Sequence, residues 1–165
     1  MAAFSPDLER ELRQSVRQAR MVSFTCGFVA PAMYIISLGS QVLRGRWSLF
    51  LAGFADLPWE EPLVRACLVA ACLTLVLALV LPPRLGQPRD SRAALGTLKL
   101  RNLLTAALMA AVAIFGLYLG VKIGPPVASL SLLICLLPMV GCWAVLPSES
   151  RWRYFMADAG RLIPR

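Results

Sequence analysis

Five cysteines, a short acidic cluster with an arginine, and two stripes of small residues are the features of this chain that bear on chemistry or close contact. Cys26, Cys67, Cys72, Cys135 and Cys142 all fall inside apolar stretches, and none belongs to a CxxC spacing. A zinc or iron–sulfur centre needs converging thiolates, usually closely spaced, so these side chains read as small apolar fillers. Histidine, the usual physiological proton carrier, is absent. Asp56, Glu60, Glu61 and Arg65 stand between apolar runs. They read either as a small polar mouth for a cation or partner, or as a helix start. In the second case Asp56 caps the helix, Pro58, Glu60 and Glu61 occupy its first turn, and Glu61 pairs with Arg65 four residues on. No phosphate loop, GxSxG, HExxH or dinucleotide fingerprint occurs. Haem ligation would rest on Met, Cys or Tyr alone. The expectation is a chain that is not an enzyme and holds no cofactor or metal.

The elements that must position these residues are four apolar runs, at about Met21–Leu43, Leu63–Leu81, Leu103–Val121 and Val127–Leu146. Each is close to the ~20 residues a helix needs to cross a hydrocarbon core. None carries Asp, Glu, Lys or Arg in its middle, whereas pumps and proton relays usually keep such a group at depth. Of the 165 residues, 58% are hydrophobic, and the mean hydropathy is +0.68. The expected fold class is all-α: a polytopic membrane protein built as a four-transmembrane-helix bundle. The first run is longer than a signal-peptide core and is expected to be retained.

Net charge is +8, but the cations sit beside the apolar runs and form no separate basic domain. That placement argues against a nucleic-acid partner and for topology. Thirteen of the 17 Lys and Arg lie before the first run, between the second and third, or after the fourth. The positive-inside rule then puts both termini and the middle loop in the cytoplasm. The Ala- and Arg-rich composition points to a bacterial cytoplasmic (inner) membrane.

Residues 1–20 read as a cytoplasmic amphipathic helix, with Ser5 as its cap and Pro6 in its first turn. Arg10, Arg13, Arg17 and Arg20 recur at steps of three and four. They form a stripe for anionic lipid headgroups or a solvated face that only sets topology. Residues 147–165 read as a basic interfacial tail in which Arg151 and Arg153 touch headgroups beside Trp152, Tyr154 and Phe155. Trp47, Phe50, Phe54 and Trp59 mark the outer loop as an interfacial segment.

Two small-residue stripes stand out. Ala66, Ala70, Thr74 and Ala78 recur at steps of four in the second run. In the third, Gly116, Gly120 and Gly124 form GxxxGxxxG, and Ala106, Ala110 and Ala113 continue nearly the same face. In lipid, helices gain little from burying apolar surface against one another, and small residues let backbones approach. These stripes are the expected packing interfaces. The turn at Gly124–Pro125–Pro126 is short enough to require an antiparallel hairpin with the fourth run.

Residues Ala106–Gly120, AALMAAVAIFGLYLG, resemble the carboxylate-bearing C-terminal helix of rotary-ATPase c-type proteolipids, with its pattern ALxEAxAIxGLV. They are also similar to a helix in small bacterial four-helix membrane proteins. Aligning ALxEA with Ala107–Ala111 puts Ala110 where the ion-binding carboxylate would stand. The resemblance therefore implies the packing of a helical hairpin without the ion-carrying role.

The expected function is that of a non-catalytic structural or accessory subunit of a membrane assembly. Its partners would be the lipid bilayer and other membrane subunits or further copies of itself. One alternative is a small transporter or channel for an uncharged solute, lined by Ser37, Thr74, Thr105, Ser129 or Ser131. Another is a lipid- or quinone-handling protein that uses the aromatic outer loop.

Overall fold

A computed structural model describes residues 5–43, 58–86, 88, 90–123, 127–144 and 146–161. Asp56, Gly124 and the aromatic segment Trp47–Phe54 lie outside them. Among the described residues the protein is all-helical, with five helices: α1 (Pro6–Leu43), α2 (Pro62–Arg84), α3 (Ser91–Lys122), α4 (Ala128–Ala144) and α5 (Glu149–Arg161). Of these, α2 and α3 are long and apolar enough to cross a membrane. The apolar helix α4 is shorter, at 17 residues.

Two helices run well past the apolar zone. α1 has 38 residues and α3 has 32, or about 57 and 48 Å at the α-helical rise. The expected division at residue 20 is not a helix end, because Arg20-Met21-Val22-Ser23 contains neither Pro nor Gly to stop propagation. Ser5 Oγ accepts from the Leu8 amide at 3.4 Å, and Asp7 and Glu9 sit in the first turn, where the helix dipole favours negative charge. α3 likewise starts well before the third run, and residues 93–102, which carry Lys99 and Arg101 and read from sequence as a short basic helical lead, lie in its first turns. Its N-cap is Asp90, whose carboxylate accepts from the Ala93 amide at 2.6 Å.

α2 starts later than the capping pattern predicts. Glu61 is its N-cap residue, without a side-chain cap bond, and Pro62 opens the first turn. Residues Pro58 to Glu61 close a turn of their own, with the Glu61 amide donating to the Pro58 carbonyl at 3.0 Å. Glu60 and Glu61 therefore precede the helix instead of lying in its first turn. Pro suits that first position because its missing N–H would have no partner there anyway. At the other end Pro82 and Pro83 exhaust the helix, and Gly86 takes a left-handed φ of +47°. That conformation costs an L-residue with a side chain about 1–2 kcal/mol.

α3 is the centre of the arrangement, in contact with α1, α2, α4 and α5, while α2 packs chiefly on α3. One core joins α2, α3 and α4 through Val64, Cys67, Ala71, Val112, Leu119 and Ile134. α3 and α4 approach closely at Gly116. A Cβ there would stand 2.9 Å from the Ser131 carbonyl oxygen and 3.0 Å from the Cys135 amide nitrogen. Both neighbours are backbone, so neither can swing aside. Cys135 Sγ donates to the Ala113 carbonyl at 3.4 Å across the same seam.

Gly116→Ala should therefore destabilise the protein by about 1–3 kcal/mol through overpacking. Gly96→Ala, at an exposed α3 position with nothing within 4 Å of the added carbon, should be neutral or stabilising by up to about 1 kcal/mol. Thermal unfolding of both variants in detergent checks this. Equal melting temperatures would remove Gly116 from the seam.

Candidate functional site

Three helices gather at the charged end. Leu12, Val16 and Ala19 of α1, Ala94 and Leu95 of α3, and Trp152, Met156 and Ala159 of α5 bury one another in a small core. Around it run four ion pairs. Lys99 reaches Glu11 at 3.2 Å, and Arg153 reaches Glu9 at 3.3 Å and Glu149 at 3.0 Å. Arg13 stands 3.7 Å from Glu149. These side chains are a third to two thirds exposed, so solvent screens the pairs, and each contributes at most about 1 kcal/mol. The apolar face of α5 holds the helix in place, and the ion pairs set its register.

Below this core the helices are tied at one level. Arg20 Nε donates to the Pro147 carbonyl at 2.9 Å, joining α1 to the segment between α4 and α5. Asn102 Nδ2 donates to the Ala19 carbonyl at 3.2 Å, and its Oδ1 accepts from Ser23 at 3.4 Å, joining α3 to α1. Arg101 closes the end of α2. Its Nη2 donates to the Leu85 carbonyl at 2.6 Å and the Gly86 carbonyl at 3.2 Å, and its Nε donates to Leu85 at 3.2 Å. The Arg101 guanidinium also lies 5.2 Å from the centre of the Phe155 ring, within cation–π range.

Between α2, α3 and α5, next to Arg101, is a cleft of about 280 Å³. Leu79, Pro82 and Pro83 form its apolar wall, Trp152 closes one side, and Arg101, Asn102 and Thr105 supply the polar atoms. A second groove of about 210 Å³ lies between α1 and α4 and is lined by Phe24, Phe28, Met139 and Trp143. The rings of Phe24 and Phe28 stack at 4.3 Å.

The residues expected from sequence fall in several places. Arg10, Arg17 and Arg151 are exposed, whereas Arg13, Arg20 and Arg153 bind partners within the chain. Within the tail expected after residue 147, Glu149–Arg161 is thus a helix docked by Trp152 and Met156 on α1 and α3. On α3, Ala106, Ala113, Gly116 and Gly120 are buried and Ala110 is half-buried. Their face is used inside the chain. On α2, Ala78 is buried, but Ala66 is exposed and Ala70 and Thr74 are half-buried. Four residues turn a helix by about 400°, so a strict four-step stripe drifts off any one face. The side chains α2 buries are instead Val64, Cys67, Ala71, Ala78 and Pro82.

Glu60, Glu61 and Arg65 are all exposed. The Arg65 guanidinium donates to the Trp59 carbonyl at 2.5 Å, and the four ion pairs among the described residues lie elsewhere. Thr74 and Thr105 donate back to the carbonyls of Ala70 and Arg101 at 2.7 and 2.9 Å. The Ser131 hydroxyl is fully buried and has no partner among the described residues. The side chain of Ser37 lies outside the described part. Of the serines and threonines offered as a solute path, Thr105 alone lines either cleft described above. No group of three or more Cys, Asp or Glu capable of holding a metal occurs among the described residues.

Sequence reasoning missed Asn102, Gly27 and the docking of α5. Asn102 was visible as a lone amide where charge gives way to the third apolar run. α5 was visible as Trp152, Met156 and Ala159 at steps of four and three, which make one helical face. Gly27 lets α1 approach α4, since a Cβ there would meet Cys142 Cβ at 3.2 Å. A single glycine in an apolar run carries no such signal. No protein-family model, curated protein or solved structure matches the chain.

Met156→Ala should cost about 2–5 kcal/mol, because it empties a fully buried site. It should also expose Arg151 and Arg153 to trypsin. Glu149→Gln, which removes only half-exposed ion pairs, should change stability by about 1 kcal/mol or less and leave trypsin resistance intact. Limited proteolysis of the two variants beside the parent decides whether apolar burial or charge holds α5.

Proposed function

We propose that this chain is a non-catalytic multi-pass protein of a bacterial inner membrane that serves as a structural or accessory subunit of a membrane assembly. In this reading the second half of α1, together with α2, α3 and α4, makes four crossings, and both termini are cytoplasmic. The observation that carries it is the single level at which the helices are tied together. Arg20, Leu85, Arg101–Asn102 and Pro147 are where charge meets the four apolar runs on the side richer in Lys and Arg. They are bonded to one another across helices. An even number of crossings brings these four points to one face, and a bilayer boundary explains why polar side chains collect there.

The subunit role rests on what remains uncovered. The face of α2 away from α3 presents Val69, Leu73, Val76 and Val80 to the exterior, and α4 presents Leu133, Val140 and Trp143. In the bilayer these faces meet lipid tails or helices of other subunits. The resemblance of Ala106–Gly120 to a proteolipid hairpin fits the same role, with Gly116 seating α4 and Ala110 in place of a carboxylate. The α5 cluster then forms a small cytoplasmic cap on the bundle, and the exposed Arg10, Arg17 and Arg151 face headgroups at its rim.

Single cysteines placed between residues 47 and 59 should react with a membrane-impermeant maleimide added outside intact cells. Those placed between 84 and 90 should react only after the membrane is opened. The reverse pattern would overturn the orientation. Native mass spectrometry from mild detergent should show the chain leaving the membrane with another subunit or further copies. A monomer at every detergent strength would remove the subunit role.

A further inference from the structure

The cleft beside Arg101 has features that the packing of the bundle does not require. It lies where α2 ends, with an apolar wall of Leu79, Pro82 and Pro83 on one side and Arg101 and Asn102 on the other. Leu79 is 59% exposed, so the wall is continuous with the outer surface of α2. Among the described residues no carboxylate lines the cleft.

Arg101 is held before any ligand arrives. Two carbonyls take its Nε and Nη2, and the Phe155 ring covers its plane. Among the described residues its Nη1, with two N–H donors, has no acceptor. A guanidinium fixed in this way loses little further freedom on binding an anion. Cationic pockets between membrane helices on the cytoplasmic side suit the phosphates of anionic lipids. An apolar channel that runs from such a phosphate along the helix suits an acyl chain.

We propose that this cleft is a binding site for one anionic phospholipid. Its phosphate sits against Arg101 Nη1, and an acyl chain lies along Leu79 and Pro83. The apolar wall selects a phospholipid over a free phosphate ion. Anionic and zwitterionic phospholipids both offer the phosphate, and the unopposed guanidinium favours the anionic one because it repels the ammonium of a zwitterionic headgroup. Bound there, the lipid fills the gap between α2 and the α5 cap and ties the end of α2 to the bundle. The inference rests on the reading that α2 and α3 cross a bilayer.

The full chain in mild detergent is titrated with phosphatidylglycerol and with phosphatidylcholine of matched chains, and retained lipid is counted by native mass spectrometry. One phosphatidylglycerol should be held per chain, roughly tenfold tighter than phosphatidylcholine, as expected where the choline ammonium is repelled by one nearby guanidinium. Arg101→Gln should abolish that preference. Leu79→Trp, which narrows the cleft from its exposed wall and leaves Arg101 in place, should weaken retention of both lipids. Arg84→Gln, at the end of α2 but outside the lining, should leave it unchanged.

Equal retention of the two lipids by the parent chain would overturn the site. So would full retention by Leu79→Trp, which decides the matter if Arg101→Gln loses its helical circular dichroism. Displacement of phosphatidylglycerol by millimolar inorganic phosphate would make this a free-phosphate site and would also overturn the proposal. Alkaline washing of membranes separates the two readings. A chain released by the wash loses both the crossings and the lipid site, whereas a chain that stays but shows no selectivity loses only the site.

Discussion

In the proposed membrane reading one constraint orders this molecule: a charged side chain is expensive in hydrocarbon, and an unpaired one more so. Lys, Arg, Asp and Glu are confined to the ends of the apolar helices, and at one end the structure knots them together. Arg20 holds Pro147, Asn102 holds Ala19 and Arg101 holds Leu85. Each bond joins two different elements, two of the bonds across more than 80 residues of sequence, at the place where both change from polar to apolar. The small core above that level and the glycine-seated seam below it follow from the same division. Above it, apolar side chains are driven together by water. Below it, the backbones of α3 and α4 come close at Gly116, where, in the proposed bilayer, dispersion replaces the hydrophobic effect.

The two halves are built on different physics and carry different sequence signatures. In the apolar half the signal is the absence of charge and the presence of small residues. The apolar stretches of α2 and α3 were accordingly legible as long apolar helices, and Gly116 and Ala113 of α3 sit against α4. The α2 stripe does not coincide with the face that α2 buries inside the chain, because a repeat of four is not a helical period. The residues that α2 buries, Val64, Cys67, Ala71 and Ala78, keep to steps of three, four and seven and stay on one side. Gly27 was not legible, because its role depends on which part of α4 lies opposite.

In the charged half the sequence spoke in two voices. Arginines interleaved with Trp152, Tyr154 and Phe155 fit an interfacial tail, and they equally fit an amphipathic helix docked on protein. What decides is whether an apolar surface is on offer. Because α1 and α3 continue past the apolar zone, Leu12, Val16 and Leu95 supply one. Residues 1–20 read as a helix of their own and residues 93–102 as a helical lead, but that α1 runs unbroken from Pro6 was not evident from the apolar runs. The candidate cleft was illegible for the same reason: Pro83, Arg101 and Trp152 come from three helices whose relative height is set only when the bundle forms.

The account stands on one level shared by four places in the chain, and depth is its direct measure. Nitroxide labels are attached singly at positions 18, 85, 98 and 148 in a background lacking the five native cysteines, and the protein is placed in lipid vesicles. The balance of relaxation by dissolved oxygen and by a polar nickel complex then reports how deep each label lies. All four labels should sit near the headgroups of a single leaflet, at depths that differ by less than about two helical turns, or ~11 Å. A label found at the bilayer centre, or two labels on opposite leaflets, would contradict the shared boundary and the four-crossing architecture drawn from it.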